Sequence, residues 1–441
     1  MTQLPAVFTE ETRRLMGDGR FERYLKSFEE DAPVSIRLNP KKVKGEGWKV
    51  EGGEWKVEGE GGEWKVEGGE PVPWCRNGYY LKQRPNFTFD PLFHAGCYYV
   101  QEAASMFLDF IVHSTMHYEL STMHYEPTCL DLCAAPGGKS TLLRAALPET
   151  CVLYSNEPIR NRASILLENV TKWGYANHIV TNAYPKDYRK SKLRFDLILC
   201  DVPCSGEGMF RKDEATIREW SPQQVEKCCG LQRDIVSDAW ACLNDGGLLI
   251  YSTCTFNIKE NEENIRWILE TFDNAEVVPV DVKPEWNITG SLLPGFHEPV
   301  YRFIPGISRG EGLFMCVIRK GKATTSTGHA EHSHAGNKTF TRREQSIPTL
   351  GINSQAGAPF SVELTYQQAI AYLRHEALVL PEGTPRGPVT VCFMGFPLGL
   401  VKNIGTRANN LYPKEWKIKT TYVPQEYTPV LTFNPSPSTQ L

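Results

Sequence analysis

From residue 128 onward, short apolar runs alternate with longer helix-like segments. The runs are TCLDLC (128–133), CVLYSN (151–156), HIVTNA (178–183), FDLILCD (195–201) and GGLLIYST (246–253). Helix-like segments such as RNRASILLENVTKWG and SPQQVEKCCGLQRDIVSDAWACL separate them. This alternation predicts a Rossmann-like α/β fold, a doubly wound and mainly parallel sheet. Sheets of this kind place their ligands beyond the carboxyl ends of the strands. Three stretches rich in chemical groups fall there, 133–139, 201–208 and 252–257, and GEGLFMCVIRK (310–320) reads as a last strand.

The flanking regions follow other patterns. Residues 1–40 predict a helical lead-in with a capping start at Thr9 in TEETRRLMGDGRFERYLKSFEE, then a strand in APVSIRLNP. The unit WKVE recurs at 48–51, 55–58 and 64–67, each copy alternating bulky and charged residues between glycines. Short exposed hairpin strands in a low-complexity surface loop fit this pattern, whereas the units are too short for a solenoid. A second tandem copy, STMHYELSTMHYE, occupies 114–126. The segment GKATTSTGHAEHSHAGNKTF reads as a polar linker. Its His329, His332 and His334 stand in a polar, structureless stretch without thiols, so a solvated linker is preferred over a metal site. A smaller α+β unit with a Pro/Ser-rich tail follows. The expected division is an N-terminal extension over 1–95 with a repeat insertion at about 45–70, a catalytic domain over 96–320, a linker over 321–345 and a C-terminal domain over 346–441.

Composition narrows the picture. The chain has 441 residues, 41% hydrophobic and 23% charged, enough for two or three domains. Neither a membrane-spanning run nor the apolar core of a secretion signal is present in the sequence, so a cytoplasmic location is expected. The 13 cysteines are odd in number, scattered and free of any C-x-x-C pair, which favours reduced thiols and no structural metal. A net charge of −4 makes any RNA-binding surface local.

The stretch DLCAAPGGKS (131–140) reads as a strand, a glycine turn and a helix N-terminus. A phosphate loop needs glycine where Cys133 stands, and the G-x-G-x-x-G fingerprint is absent. The loop of Cys133, Ala134, Ala135, Pro136, Gly137, Gly138 and Lys139 instead suits a ligand with a carboxylate and an amine, such as a methionine-derived cofactor. Glu157 closes the second strand in LYSNEP, where an acid commonly bonds ribose hydroxyls.

Two thiols stand apart from the rest. Cys200, Cys228, Cys242, Cys316 and most others read as buried apolar residues. Cys204, in FDLILCDVPCSGEGMF, and Cys254, in GGLLIYSTCTFN, lie on polar turns at the same sheet edge. Carbon 5 of a pyrimidine is a poor nucleophile until a thiolate adds at carbon 6 and makes an enamine. Asp201 is placed to hydrogen-bond the ring edge and keep N3 protonated. One thiol would attack and the other would assist release.

The motifs DLCAAPGGKS, DVPCSGEGMFRKD and YSTCTFNIKENEENI, with GCYYVQEAASM upstream, resemble those of the Nop2/Sun family of RNA cytosine-5 methyltransferases. The C-terminal GFPLGLVKNIGTRANNLYPKEWKIK resembles the bacterial F-type 16S rRNA branch of that family. The resemblance covers nearly the whole chain outside the two repeat insertions. It implies S-adenosyl-L-methionine as cofactor, an RNA-binding N-terminal extension and a PUA-like C-terminal RNA-binding domain. Carried over by position, Cys254 is the nucleophile and Cys204 the thiol that aids release. The cofactor lies against Cys133 to Lys139, with Glu157 on its ribose, Asp201 near its methyl end and the base, and Arg162 at a further family position. The chain departs from the family in VTNAYPKDY, where Asn182 stands in for an adenine-contacting acid, and in RFIPGISRGEG, where Pro305 and Gly306 replace a proline–histidine pair. Arg37, Lys402, Arg407, Lys414, Lys417, Lys419, Tyr412 and Trp416 are the expected RNA contacts, although the C-terminal group also fits a solvated face over a core tryptophan. DNA cytosine methyltransferases use one proline–cysteine thiol as nucleophile, so Cys254 separates the two readings. The expected reaction is methylation of carbon 5 of a cytidine, with 16S rRNA or the small ribosomal subunit ahead of transfer RNA, by a monomer. A non-catalytic ribosome-assembly protein would keep the fold without needing both thiols.

Overall fold

The computed structural model describes residues 4–43, 47–51, 54–58, 63–322, 347–352, 358, 360–420 and 422–434. Two compact units interleave along the sequence. The first comprises Met1–Pro33, Glu102–Leu167 and Asn177–Ile352, and the second Val34–Gln101, Glu168–Ala176 and Asn353–Leu441.

The first unit is built on a nine-stranded sheet. Its strands are β1 (Thr128–Asp131), β2 (Val152–Asn156), β3 (His178–Thr181), β4 (Phe195–Asp201), β5 (Leu243–Thr253), β6 (Ala275–Val277), β7 (Tyr301–Phe303), β8 (Leu313–Lys320) and β9 (Thr349–Ile352). The spatial order is β6-β8-β5-β4-β1-β2-β3-β9, with β7 also paired to β8. Strands β1 to β5 are mutually parallel, and β8 and β9 close the array antiparallel to β5 and β3. The strand order reverses between β1 and β4, which opens a crevice at their carboxyl ends. Register levels those ends, since Asp131 pairs with Leu199 and Asp201 with Ser252.

The first six residues of β4 are buried, and only Asp201 at its end is partly exposed. An uninterrupted apolar run suits a strand covered on both faces. Ile198 and Leu249 share a core with Ile235, Val236 and Ala239 of the helix Pro222–Cys242. Burial of each of the larger side chains here, Ile198, Leu249, Ile235 and Val236, contributes about 1.5–3 kcal/mol. This rigid layer carries the turns that follow β1, β4 and β5.

Several expectations change. The first helix starts at Ala6, not at Thr9, because Pro5 sets the entry and Thr9 Oγ1 bonds back to the Pro5 carbonyl at 3.1 Å. The chain then breaks at Gly17, with φ 75°, into Ala6–Met16 and Asp18–Lys26. These helices pack by aromatic contact, Phe8 lying 4.9 Å from Phe210 and Tyr24 5.3 Å from Phe256 between ring centroids. β9 pairs antiparallel with β3 in the nine-stranded sheet, in a stretch expected to belong to the C-terminal unit. A four-residue edge strand is too short to carry a periodicity of its own, which accounts for the difference.

The second unit holds two four-stranded sheets. One orders Glu70–Pro71, Gly78–Leu81, Val34–Leu38 and Tyr98–Val100, all antiparallel. The other orders Ser361–Glu363, Gly387–Phe393, Phe396–Asn403 and Ala408–Asn410, beside the helix Tyr366–Leu373. The first two WKVE copies form a hairpin, Gly47–Glu51 against Glu54–Glu58. The third, Glu63–Val66, pairs with Leu431–Asn434, and the Trp64 ring lies 5.3 Å from both Phe396 and Phe433. The linker histidines His329, His332 and His334 lie outside the described residues.

Candidate active site

Two cysteine turns meet beyond the crevice. Pro203 follows β4 and removes a ladder donor, so the chain leaves the sheet there and delivers Cys204. Cys204 Sγ lies 3.3 Å from Cys254 Sγ and accepts from the Cys254 backbone N–H at 3.3 Å. Both thiols are half-buried, whereas Cys200, Cys228, Cys242 and Cys316 are buried. The turns touch through backbone as well, Gly208 N–H donating to the Cys254 carbonyl at 2.8 Å. A Cβ on Gly208 would sit 2.7 Å from the Gly312 carbonyl and 2.8 Å from that of Cys254, so this approach requires glycine. Behind Cys254, Thr253 Oγ1 donates to Asn261 Oδ1 at 2.6 Å, and Asn261 Nδ2 donates to the Thr255 carbonyl at 2.9 Å.

Charge around the thiols is asymmetric. Lys139 Nζ lies 2.9 Å from Asp201 Oδ2. Burial opposes the ammonium, yet Asp201 beside it holds the Lys139 pKa above its ordinary value. The hydrogen bond from the Cys204 thiol lowers the pKa of Cys254, and nearby Lys139 adds to this against burial. The same shared bond, together with burial and the field of Glu260, raises Cys204. Within the pair, Cys254 is therefore the thiol that ionises more readily and Cys204 the one that holds its proton longer. Alkylation of the full chain by iodoacetamide, followed at each site by mass spectrometry, tests this. Cys254 labelling should rise with pH through an inflection below the ordinary thiol value of 9.0, and Cys204 above it. Lys139→Met should move the Cys254 inflection upward. Equal inflections at both sites would contradict the assignment.

The crevice wall comes from β1 and β2. Gly137, with φ 116°, turns the chain from β1 into the helix Gly138–Ala146. Ser140 Oγ donates to Asp131 Oδ2 at 2.6 Å, and burial lifts the Asp131 carboxyl to about 7. Ala134 N–H bonds the Asn156 carbonyl at 2.8 Å. Glu157 directly follows the next strand with its carboxylate buried, accepting from Ile159 N–H at 2.9 Å and lying 3.4 Å from Arg162 Nη1. Arg162 Nη2 donates to the Ala135 carbonyl at 3.1 Å and so ties the two loops together. Asn182 spends its amide hydrogens on the carbonyls of Glu157 and Pro158, at 2.7 and 3.0 Å.

Three family models divide the chain among them. The model described as 16S rRNA methyltransferase RsmB/F matches residues 120–319, the N-terminal domain of 16S rRNA methyltransferase RsmF matches 4–103, and the methyltransferase RsmF PUA domain matches 359–418. The chain belongs to the RsmB/F family of 16S rRNA methyltransferases. Similar relatives include the ribosomal RNA small subunit methyltransferase F of Shigella flexneri serotype 5b and that of Escherichia coli O81. Each is 28% identical over 420 residues, covering 78% of this chain and 84% of the relative. Among solved structures, a methyltransferase homolog from Pyrococcus horikoshii is 25% identical with a TM-score of 0.54, over 72% of this chain and 100% of its own. NSun6 from Pyrococcus horikoshii with SFG shares the fold at 18% identity and TM-score 0.55, over 73% of this chain and 99% of its own.

In this RsmB/F chain the expected catalytic and cofactor residues all lie at or just past the carboxyl ends of the parallel strands β1 to β5 in the first unit. The expected RNA contacts of the second unit divide. Lys402, Arg407, Lys414, Lys417 and Lys419 are exposed. Trp416 is half-buried, edge-on to the buried Tyr412 at 6.1 Å, with Lys172 Nζ 5.6 Å from its ring centroid. The solvated face over a packed tryptophan is thus the better description of these aromatics. Arg37 needs correction. It is only 2% exposed, its guanidinium donates to Gln101 Oε1 at 2.8 Å and stacks 4.4 Å from the Trp173 ring centroid. A side chain held there packs its own unit and does not reach a phosphate. Asn156, Glu207, Glu260 and Arg302 escaped the sequence reading. Asn156 joins three strand ends, donating to the carbonyls of Leu132 and Ala183 and accepting from Ala183 N–H and Thr181 Oγ1. No helix among the described residues is long and apolar enough to cross a membrane.

Proposed function

We propose that this chain methylates carbon 5 of a cytidine in 16S rRNA through a covalent adduct between Cys254 and carbon 6 of the base. The observation that carries this reading is the 3.3 Å approach of the two thiols beside the Lys139–Asp201 pair. Family membership supports S-adenosyl-L-methionine as the methyl donor. The crevice fits it: the helix end behind left-handed Gly137 suits a carboxylate, and the buried Glu157 carboxylate suits ribose hydroxyls. Residues 133–139, Glu157, Arg162, Asn182 and Asp201 would hold the cofactor. When bound, it supplies the electrophilic methyl group.

The chain's own part is a proton and electron relay. Cys254 thiolate forms a bond to carbon 6, and the electrons of the 5,6 double bond make carbon 5 nucleophilic. Lys139 and Asp201 hold a proton at the ring edge where charge builds at N3. Once Cys254 is bonded to carbon, the charge that kept Cys204 protonated is gone. Cys204 then yields its proton to solvent and, once carbon 5 carries the methyl group, takes the proton from carbon 5. The electrons of that C–H bond restore the double bond, the carbon 6–sulfur bond breaks, and Cys254 leaves as thiolate.

The test is methyl transfer from labelled S-adenosylmethionine to 16S rRNA, small subunits and transfer RNA, with digestion to nucleosides. Label should appear as 5-methylcytidine from the ribosomal substrates. Label confined to transfer RNA, or at another base atom, would overturn the proposal.

A further inference from the structure

Each cysteine turn is gripped by a carboxylate that belongs to the other. Glu207 lies three residues after Cys204, yet it accepts from the backbone N–H groups of Phe256 and Asn257, both at 2.9 Å, just past Cys254. Glu260 lies six residues after Cys254, yet it accepts from the N–H of Ser205 at 3.0 and 3.3 Å. Asn257 Nδ2 donates to both carboxylates, at 3.1 Å each. Gln232 Nε2 bonds Glu260 at 2.7 Å and the Pro203 carbonyl at 2.9 Å. Glu207 and Glu260 are 2% and 0% exposed, so these bonds exchange little with water.

Physical reasons make this arrangement more than packing. Ser205, Phe256 and Asn257 lie past the ends of β4 and β5, where no ladder accepts their N–H groups. Acceptors within each turn would have satisfied them. Burying two carboxylates costs free energy that only several donors offset. The crossed pattern spends that cost on registering one turn against the other. Ser205 Oγ and Thr255 Oγ1, 2.8 Å apart, repeat the cross-link between the residues that follow the two cysteines.

We propose that Glu207 and Glu260 are positioning residues that divide the catalytic cycle between them. Glu207 aims Cys254 for attack on carbon 6, and Glu260 aims Cys204 for removal of the carbon 5 proton. The proposal rests on the covalent reading of the same site. A thiol misplaced by about 1 Å costs on the order of 100-fold in its own step. The two variants should therefore differ in kind.

The experiment uses the full chain with 16S rRNA and S-adenosylmethionine, reading covalent RNA–protein complex on denaturing gels alongside turnover. Glu260→Gln should form complex at close to the native rate and accumulate it, with turnover reduced roughly 10–100-fold. Glu207→Gln should form complex roughly 10–100-fold more slowly and accumulate none. A short thiol-bridging reagent gives a readout without turnover: it should join Cys204 to Cys254 in the native chain and fail in both variants. Should either variant not fold, Asn257→Ala replaces it, with reduced bridging expected. Identical kinetic defects in the two variants, or native bridging in the folded variants, would overturn the clamp. Complex that still forms in Cys254→Ala would instead overturn the covalent reading itself.

Discussion

Cys254→Ala lowers methyl transfer by roughly ten-thousand-fold or more, to background, and leaves no covalent RNA complex. The expectation follows from what the sulfur does. Without a bond at carbon 6, carbon 5 keeps its aromatic electron density, and no neighbouring group replaces the missing nucleophile. Cys204 cannot substitute in place, because its sulfur belongs to the other turn, held by the Ser205 N–H bond to Glu260. Cys204→Ala gives the opposite signature. Attack proceeds, the adduct forms, and the absence of a base for the carbon 5 proton leaves RNA attached to the chain. Both variants keep their melting temperatures close to native, since neither half-buried thiol fills the sheet core. Denaturing gels and a filter-binding methylation assay distinguish the two outcomes. Normal turnover in Cys254→Ala would contradict the assignment of roles.

Arg302→Ala has the largest expected effect on stability. Arg302 and Glu262 are 1% and 0% exposed and form a two-pronged pair, with Nε donating to Glu262 Oε1 at 2.8 Å and Nη2 bonded to Glu262 Oε2. The remaining nitrogen, Nη1, donates to the Phe256 carbonyl at 2.9 Å, two residues past Cys254. Glu262 Oε1 also accepts from Leu292 N–H at 3.0 Å. Truncating the arginine leaves a buried carboxylate without its counterion, which costs about 3–5 kcal/mol. Urea unfolding should show that loss as a lower midpoint. Replacing both partners by methionine should recover much of it, because no unpaired charge then remains. Equal losses in the single and double variants would show that packing, not the charge, dominates.

The strand and helix alternation from 128 to 320 was legible because each strand is a short apolar run ending in a polar turn. Cys204 and Cys254 were legible for the same reason, as thiols placed where the periodicity stops. The residues that hold them were not. NIKENEENI is mostly polar and carries no apolar run that would mark burial, yet Glu260, Asn261, Glu262 and Asn264 are all buried. Hydrophobic periodicity marks burial of apolar groups and is silent on polar groups buried with partners from distant turns. Arg37 failed in the same way, since a cation in a strand looks exposed until Trp173 and Gln101 fold over it. Pairing of Thr349–Ile352 along β3 depended on an edge that no local pattern announces.

The most direct measurement is to trap the RNA complex of Cys204→Ala, digest protein and RNA, and locate the nucleotide by mass spectrometry. The nucleotide should be a cytidine carrying one added methyl group, bound through sulfur to the peptide that contains Cys254. A nucleotide on any other residue would contradict the account, as would full methylation with no trapped complex.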